Sequence, residues 1–250
     1  MPRNDTVIIT FVNEAYIPVG LNWLSFVLAL ETDAAVKVVA LDTATRDAFP
    51  SDVALYHPMD STHLSDVWLF RMRLLRDILE AGVTVIHSDA DAVWYRNPIP
   101  FLMSCGTDMI FSQGTVMPTA SHARNGFVLC CGLFQMSPSP DVMEFMDALE
   151  IRVIVDRDDQ VGINRLCDKW DYAWKIVDPY RIAFGDRAFT ASRHPILSEN
   201  ARGPSISIIP HHRVPRLVNT LTPDLLVAHP LSPKSCAGKM KTLSALGLWS

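Results

Sequence analysis

The sequence predicts a single α/β domain with a mixed, mostly parallel central sheet flanked by helices. Three observations predict it. Val7-Ile8-Ile9-Thr10-Phe11-Val12 and Val83-Thr84-Val85-Ile86-His87 are near-continuous apolar, β-branched runs, the pattern of strands buried on both faces. Between them lies a helix-spaced segment, Leu21, Leu24 and Leu28 with Trp23, Val27 and Leu30, followed by a further apolar run from Val36 to Leu41. Strand, helix, strand is how a wound α/β sheet begins. The 250 residues are 49% hydrophobic and 20% charged, enough to bury a large core, and no repeat or low-complexity linker divides them.

Asn13-Glu14 end the first strand and Asp42-Thr43 the second. Val67 to Ala81 reads as a helix, with Arg71, Arg73 and Arg76 among Leu74, Leu75, Ile78 and Leu79, and Gly82 as its stop. The strand that follows runs straight into Ser88-Asp89-Ala90-Asp91. Two carboxylates therefore sit at the carboxyl end of a strand, where open α/β sheets bind ligands. Further on, Met109 to Ser112 and Gly126 to Gln135 read as strands, and Pro140 to Leu149 and Gln160 to Trp170 as helices. Ala191 to Ser207 reads as loop, because of Pro195, Gly203 and Pro204. Leu225 to Ala228 reads as the last strand, leading into His229-Pro230 and a polar, basic tail from Ser232 to Lys241.

A formal charge of -5 gives no basic surplus to neutralise a phosphate backbone and argues against nucleic acid as partner. Cys105, Cys130, Cys131, Cys167 and Cys236 form an odd set without a CxxC pair, as buried thiols in a reducing compartment would. Met1-Pro2-Arg3-Asn4-Asp5 lacks the blocks of a secretory signal, and the apolar run from Ile17 to Leu30 is broken and too short to span a bilayer. The expected location is cytoplasmic with no transmembrane segment; peripheral membrane contact stays open.

Chemistry concentrates at Asp89 and Asp91. Two acids one residue apart can turn onto one hard cation when the residue between them is as small as Ala90, and oxygen ligands suit Mn²⁺ or Mg²⁺. Alone, Asp-x-Asp is also a common solvated loop. The longer phrase Val85-Ile86-His87-Ser88-Asp89-Ala90-Asp91-Ala92-Val93-Trp94-Tyr95-Arg96-Asn97-Pro98 resembles the signature of the nucleotide-diphospho-sugar transferase family of retaining GT-A enzymes. Other segments agree in order: Arg71 before Arg73-Leu74-Leu75, then Asn125-Gly126-Phe127-Val128, Asp158-Asp159-Gln160 with Asn164, and His229, Gly238-Lys239 and Trp249.

The resemblance implies a GT-A fold over residues 1–250, with a nucleotide-binding half of about 1–98 and an acceptor and sugar half of about 99–250. It implies a nucleotide-sugar donor, a UDP-hexose or UDP-pentose, and a carbohydrate, lipid-linked or protein acceptor. Asp89, Asp91 and His229 would hold Mn²⁺ or Mg²⁺, and Lys239 would assist the departing diphosphate. Asp159, or Gln160 beside it, would lie near the anomeric carbon, and Arg71 would hold a sugar hydroxyl or the diphosphate. Thr10, Phe11, Val12 and Asn13 would meet base and ribose, and Asn125 the donor or acceptor.

Plainer readings stand beside these. Arg71 can face solvent, Asp158-Asp159 can cap the following helix, Asn125-Gly126 can be a turn, and Trp94 can be core packing. His211-His212 read as structural or exposed. At the level of function the alternatives are a catalytically silent GT-A-like module that binds a glycan or protein, and a metal-dependent phosphohydrolase or nucleotidyltransferase. The second lacks a Gly-rich phosphate loop.

Overall fold

The computed structural model describes residues 5–61, 63–199 and 202–250. Strand β1 (Thr6–Val12) is followed by α1 (Ile17–Leu28), β2 (Ala35–Ala40), α2 (Thr43–Ala48), β3 (Ala54–Tyr56), α3 (Leu64–Glu80) and β4 (Thr84–Ser88). Next come β5 (Val93–Trp94), α4 (Ile99–Cys105), β6 (Met109–Gln113), α5 (Thr119–Asn125), β7 (Leu129–Met136), α6 (Pro140–Asp156) and α7 (Asp159–Lys169). The chain continues through β8 (Ala173–Lys175), β9 (Pro179–Phe184), β10 (Arg187–Ser192), β11 (Ile196–Glu199), β12 (Ile206–Ile208), β13 (Val227–Ala228) and α8 (Cys236–Ala245).

Nine strands form one sheet in the order β3-β2-β1-β4-β7-β6-β12-β11-β8. β1 runs parallel to both β2 and β4, and only β7 and β11 oppose the common direction. The sequence-adjacent residues Ile8 and Ile9 serve different cores. Ile8, Val38 and Ile86 pack with Trp23, Val27 and Leu102 on one face, whereas Ile9, Val39 and Val85 pack with Met72, Leu75, Phe145, Leu149 and Ile163 on the other. A sheet covered on both faces explains why its strands lack polar alternation. β9 and β10 form a separate hairpin, and β5 pairs antiparallel with β13. Among the described residues no helix is long and apolar enough to cross a membrane.

Strand order reverses between β1 and β4, because the chain lays β2 and β3 on one side of β1 and then returns to the other. The crevice outside the carboxyl ends of β1 and β4 is therefore the switch point at which open sheets bind ligands.

Several elements differ from the sequence reading. Residues Thr119–Asn125 form α5, which ends on Gly126 in the left-handed region at φ +78°, so the following strand starts only at Leu129. The stretch from Ala191 to Ser207, read as loop, completes β10 and contributes β11 and the start of β12; its residues 200 and 201 lie outside the described ones, as do residues 1–4 of the opening segment. Strands of three or four residues are too short to show a period. The supposed tail contains α8, capped by Ser235 Oγ, which accepts from the Gly238 N–H at 3.2 Å. A glycine in the first turn disguised that helix.

Candidate active site

The site is built around the turn that follows β4. Ser88, fully buried, takes hydrogen bonds at Oγ from two indole nitrogens, Trp23 Nε1 at 3.0 Å and Trp94 Nε1 at 3.1 Å. The Ala92 N–H donates to the Asp89 carbonyl at 2.9 Å and closes a turn around Ala90 and Asp91, while the Asp89 N–H donates to the Gly132 carbonyl on β7 at 2.7 Å. The two carboxylates are thus fixed from the core side before any ligand arrives.

A two-residue ribbon brings in the third group. Val93 pairs with Ala228 and Trp94 with Val227, so His229, next in the chain, lies beside the turn. Its Nε2 is 3.7 Å from Asp89 Oδ2 and 3.7 Å from Asp91 Oδ1. The imidazole rests on the backbone of β7: a Cβ at Gly132 would come within 1.9 Å of His229 Cε1, so only glycine fits. Asp89, Asp91 and His229 each offer one ligand atom within 4.8 Å of the others. Two hard carboxylate oxygens with one imidazole nitrogen fit a Mn²⁺ or Mg²⁺ ion that takes its remaining ligands from water and phosphate.

Basic groups close around these acids. Lys239, projecting from α8, bonds Asp91 through its ammonium, and Arg71 of α3 bonds Asp159 at the start of α7. Arg71 Nη1 also lies 2.8 Å from His87 Nε2 and 3.2 Å from Asp89 Oδ1. Burial and the Arg71 charge push the His87 imidazole down to about 4. For Asp89 burial acts upward, yet the neighbouring His87 and Arg71 hold it well below the usual carboxylate range. Asp91 likewise resists burial and is lowered through His229 and Lys239. For His229, burial and Arg216 press the imidazole down, and the Asp91 and Cys130 partners more than offset them, leaving it raised.

Arg71, His87, Asp89, Asp91 and Lys239 form the floor of a cleft of about 340 Å³ at the switch point, which Phe11, Asn13, Tyr16, Leu41, Trp68 and Lys234 also line, while His229 and Asp159 lie buried behind it. One wall is aromatic and apolar, and the floor is charged. A family model described as nucleotide-diphospho-sugar transferase matches residues 26–214, well over half of the chain. The chain belongs to the nucleotide-diphospho-sugar transferase family.

Similar curated proteins include plant enzymes. A UDP-D-xylose:L-fucose alpha-1,3-D-xylosyltransferase of Arabidopsis thaliana is 30% identical over 136 residues, 49% of this chain and 38% of that protein. A beta-arabinofuranosyltransferase of the same plant is 26% identical over 155 residues, 56% of this chain and 29% of that protein. The chain spans between 28% and 41% of the length of the curated relatives it matches. The galactosyltransferase LgtC, solved in complex with donor and acceptor sugar analogs, shares the fold: TM-score 0.55 and 12% identity over 96% of each chain. The architecture is that of the GT-A glycosyltransferases.

Within this family member the residues singled out from sequence occupy different places. Phe11 and Asn13 line the cleft, whereas Thr10 and Val12 are buried, Val12 in the core on the opposite face, as the twofold alternation of a strand requires. Arg71 is buried, not solvent-facing. Asp158 and Asp159 divide the labour: Asp158 caps α7 by accepting from the Val161 N–H at 2.8 Å, and Asp159 is buried against Arg71. Gln160 turns away and donates to the Met117 carbonyl at 2.9 Å. Asn125 ends α5 and donates to Asp168 Oδ1 at 3.1 Å, outside the cleft.

His87, Tyr16, Trp68, Lys234 and Gly132 were not singled out. His87 was legible, since it lies on the buried strand β4 two residues before Asp89, the spacing at which side chains of an extended chain point the same way. So was Gly132: a glycine inside a buried strand, after Cys130-Cys131, signals close approach of another group. Tyr16, Trp68 and Lys234 carry no such signal and meet only in the fold. His211 is structural, its Nε2 accepting from the Arg216 N–H at 3.1 Å beside the Phe189 ring.

Proposed function

We propose that this protein transfers a glycosyl group from a nucleoside diphosphate sugar, a UDP-pentose or UDP-hexose, to a glycan, lipid-linked or protein acceptor, with retention of configuration. The observation that carries the reading is the convergence of Asp89, Asp91, Lys239 and Arg71 on the floor of one cleft at the sheet's switch point, with His229 buried beside the two carboxylates. Departure of the diphosphate is the costly step, and its developing negative charge needs fixed positive partners. Asp89, Asp91 and His229 would hold Mn²⁺ or Mg²⁺, which supplies electrostatic stabilisation of that leaving group. Lys239 reaches the same floor from α8 and offers three donors to phosphate oxygens. Because α8 is capped by Ser235 and the segment after it is tied down by Asn22, which donates to the Leu248 carbonyl at 3.0 Å, the lysine is delivered on a fixed element.

Phe11, Asn13 and Tyr16 line the end of the cleft beyond β1, which suits a stacked base and a hydrogen-bonded ribose. Arg71 spans Asp89 and Asp159 and would orient the sugar between them. Asp159 lies buried behind Arg71, an arrangement that favours an electrostatic and positioning role over covalent attack. Residues up to about 98 would serve the nucleotide and those from about 99 the sugar and acceptor, with α8 returning to the nucleotide side. Retention follows the family resemblance. Five free thiols favour a reducing, cytoplasmic setting.

The test is release of UDP from a panel of UDP-sugars with and without Mn²⁺. The native chain should release UDP only with metal, and Asp91→Asn should lose about 100-fold or more of that rate, as removal of one preorganised electrostatic group does. A variant as active as the parent would overturn the metal assignment. Donor-independent hydrolysis of phosphate esters would favour the phosphohydrolase reading, and no donor binding in calorimetry with any metal would favour the silent module.

A further inference from the structure

Helix α6 is apolar on two opposite faces. Val142, Phe145, Met146, Leu149 and Val153 are buried in the core. Ile151, Ile154 and Val155 are 63%, 52% and 65% exposed. With 3.6 residues per turn the exposed three fall within an arc of about 100°, roughly opposite the buried stripe. After Pro140 at its start, the exposed positions earlier on the same helix are Asp141, Glu144 and Asp147, so the outward face changes from acidic to aliphatic over its last turn and a half. Single exposed aliphatics are ordinary, but three side by side are not.

The rim of this patch is basic. Arg152 Nη2 lies 2.6 Å from Asp156 Oδ2, and Arg165 bonds the other oxygen of the same carboxylate, which is almost fully buried beneath the two guanidiniums. Arg157 follows in the left-handed conformation at φ 55° and places its guanidinium 3.3 Å from Ser65 Oγ. Ser65 adjoins Leu64, which is 54% exposed and lines the mouth of the cleft. Aliphatic patch, arginine rim and cleft mouth are thus continuous.

We infer that the end of α6 docks the protein on an anionic lipid bilayer. Ile151, Ile154 and Val155 enter the boundary between headgroups and acyl chains, and Arg152, Arg157 and Arg165 meet lipid phosphates. Charge decides between occupants. The chain carries a net -5, so an anionic surface repels most of it and accepts it only through a local basic rim. A second copy of this chain would bring a like set of arginines against the first. Three side chains also fall far short of the roughly 800 Å² per partner that a stable protein contact buries. Docking stands on the patch alone; that it sets the cleft beside a lipid-linked acceptor rests on the glycosyltransferase reading.

Flotation with vesicles tests it, comparing phosphatidylcholine alone with an equal mixture of phosphatidylcholine and phosphatidylglycerol. The native chain should float only with the anionic vesicles and be released by salt. The triple variant Ile151→Gln, Ile154→Gln, Val155→Gln should lower the bound fraction about tenfold at an unchanged thermal midpoint, because the side chains removed are exposed. Arg157→Gln should weaken binding severalfold and flatten its salt dependence. The inference is overturned if the native chain stays unbound to anionic vesicles, if the triple variant floats as the native chain does, or if light scattering finds a native dimer that the triple variant abolishes. UDP release on the same samples keeps the readings apart: Asp91→Asn should lose it and still float, and the triple variant should keep it and not float.

Discussion

At the scale of single residues, the site depends on an atom that is missing by design. Gly132 has no side chain because the His229 ring occupies the place of its Cβ, at 1.9 Å from Cε1. Gly132→Ala should force the ring off β7, carrying Nε2 away from Asp89 and Asp91. The expected outcome is a destabilisation of about 1–3 kcal/mol from overpacking, with a loss of Mn²⁺ affinity in calorimetric titration larger than the stability loss alone would give. If the alanine variant binds Mn²⁺ as the native chain does, His229 is not held from beneath. Ser88 makes a second such case, since its hydroxyl is the acceptor for two buried indole donors, Trp23 and Trp94. Ser88→Ala leaves both unpaired and should cost about 2–6 kcal/mol at about 1–3 per orphaned group, read by urea denaturation. Equal midpoints would mean that water or another acceptor takes over.

At the scale of elements, legibility followed length and period. β1, β2, β4, α3 and α7 were readable because each carries enough residues for an apolar run or a helical spacing to emerge. β11 and β12, with three or four residues each, gave no period, α5 and α8 were concealed by a glycine or by a polar composition, and β13 was read as a strand, Leu225 to Ala228, but without its partner. The site shows the same division. Asp89 and Asp91 were legible because they follow a buried strand without a break, whereas Arg71, one of three arginines on a long helix, was singled out only through the family resemblance. His229 could be named only through the family resemblance, since nothing local shows that Val227 and Ala228 pair with Trp94 and Val93. A two-residue ribbon is invisible in sequence, yet it determines which histidine meets the acids. Asn125-Gly126 drew attention as a motif, whereas Gly132, on the neighbouring strand segment, is the glycine that packs against the site.

At the scale of the whole molecule, burial of ionisable rings couples the fold to pH. His211 is almost fully buried between Phe189 and the Arg216 N–H, and burial, then His212 and Arg216, push its imidazole from 6.5 down to about 4. A group whose folded value is lower than its unfolded value leaves the unfolded chain binding more protons between the two. Stability should therefore be full above about pH 6.5 and fall as the pH is lowered toward about 4, by up to about 3 kcal/mol from this residue at 1.36 kcal/mol per unit. His211→Gln keeps an acceptor for the Arg216 N–H but cannot take up the proton. Urea midpoints measured from pH 7 to pH 4 should decline less steeply for the glutamine variant than for the native chain, with the two curves converging at the acid end. Parallel curves would mean that the His211 ring is protonated without unfolding, and that the loop from Pro210 to Arg216 yields locally before the sheet does.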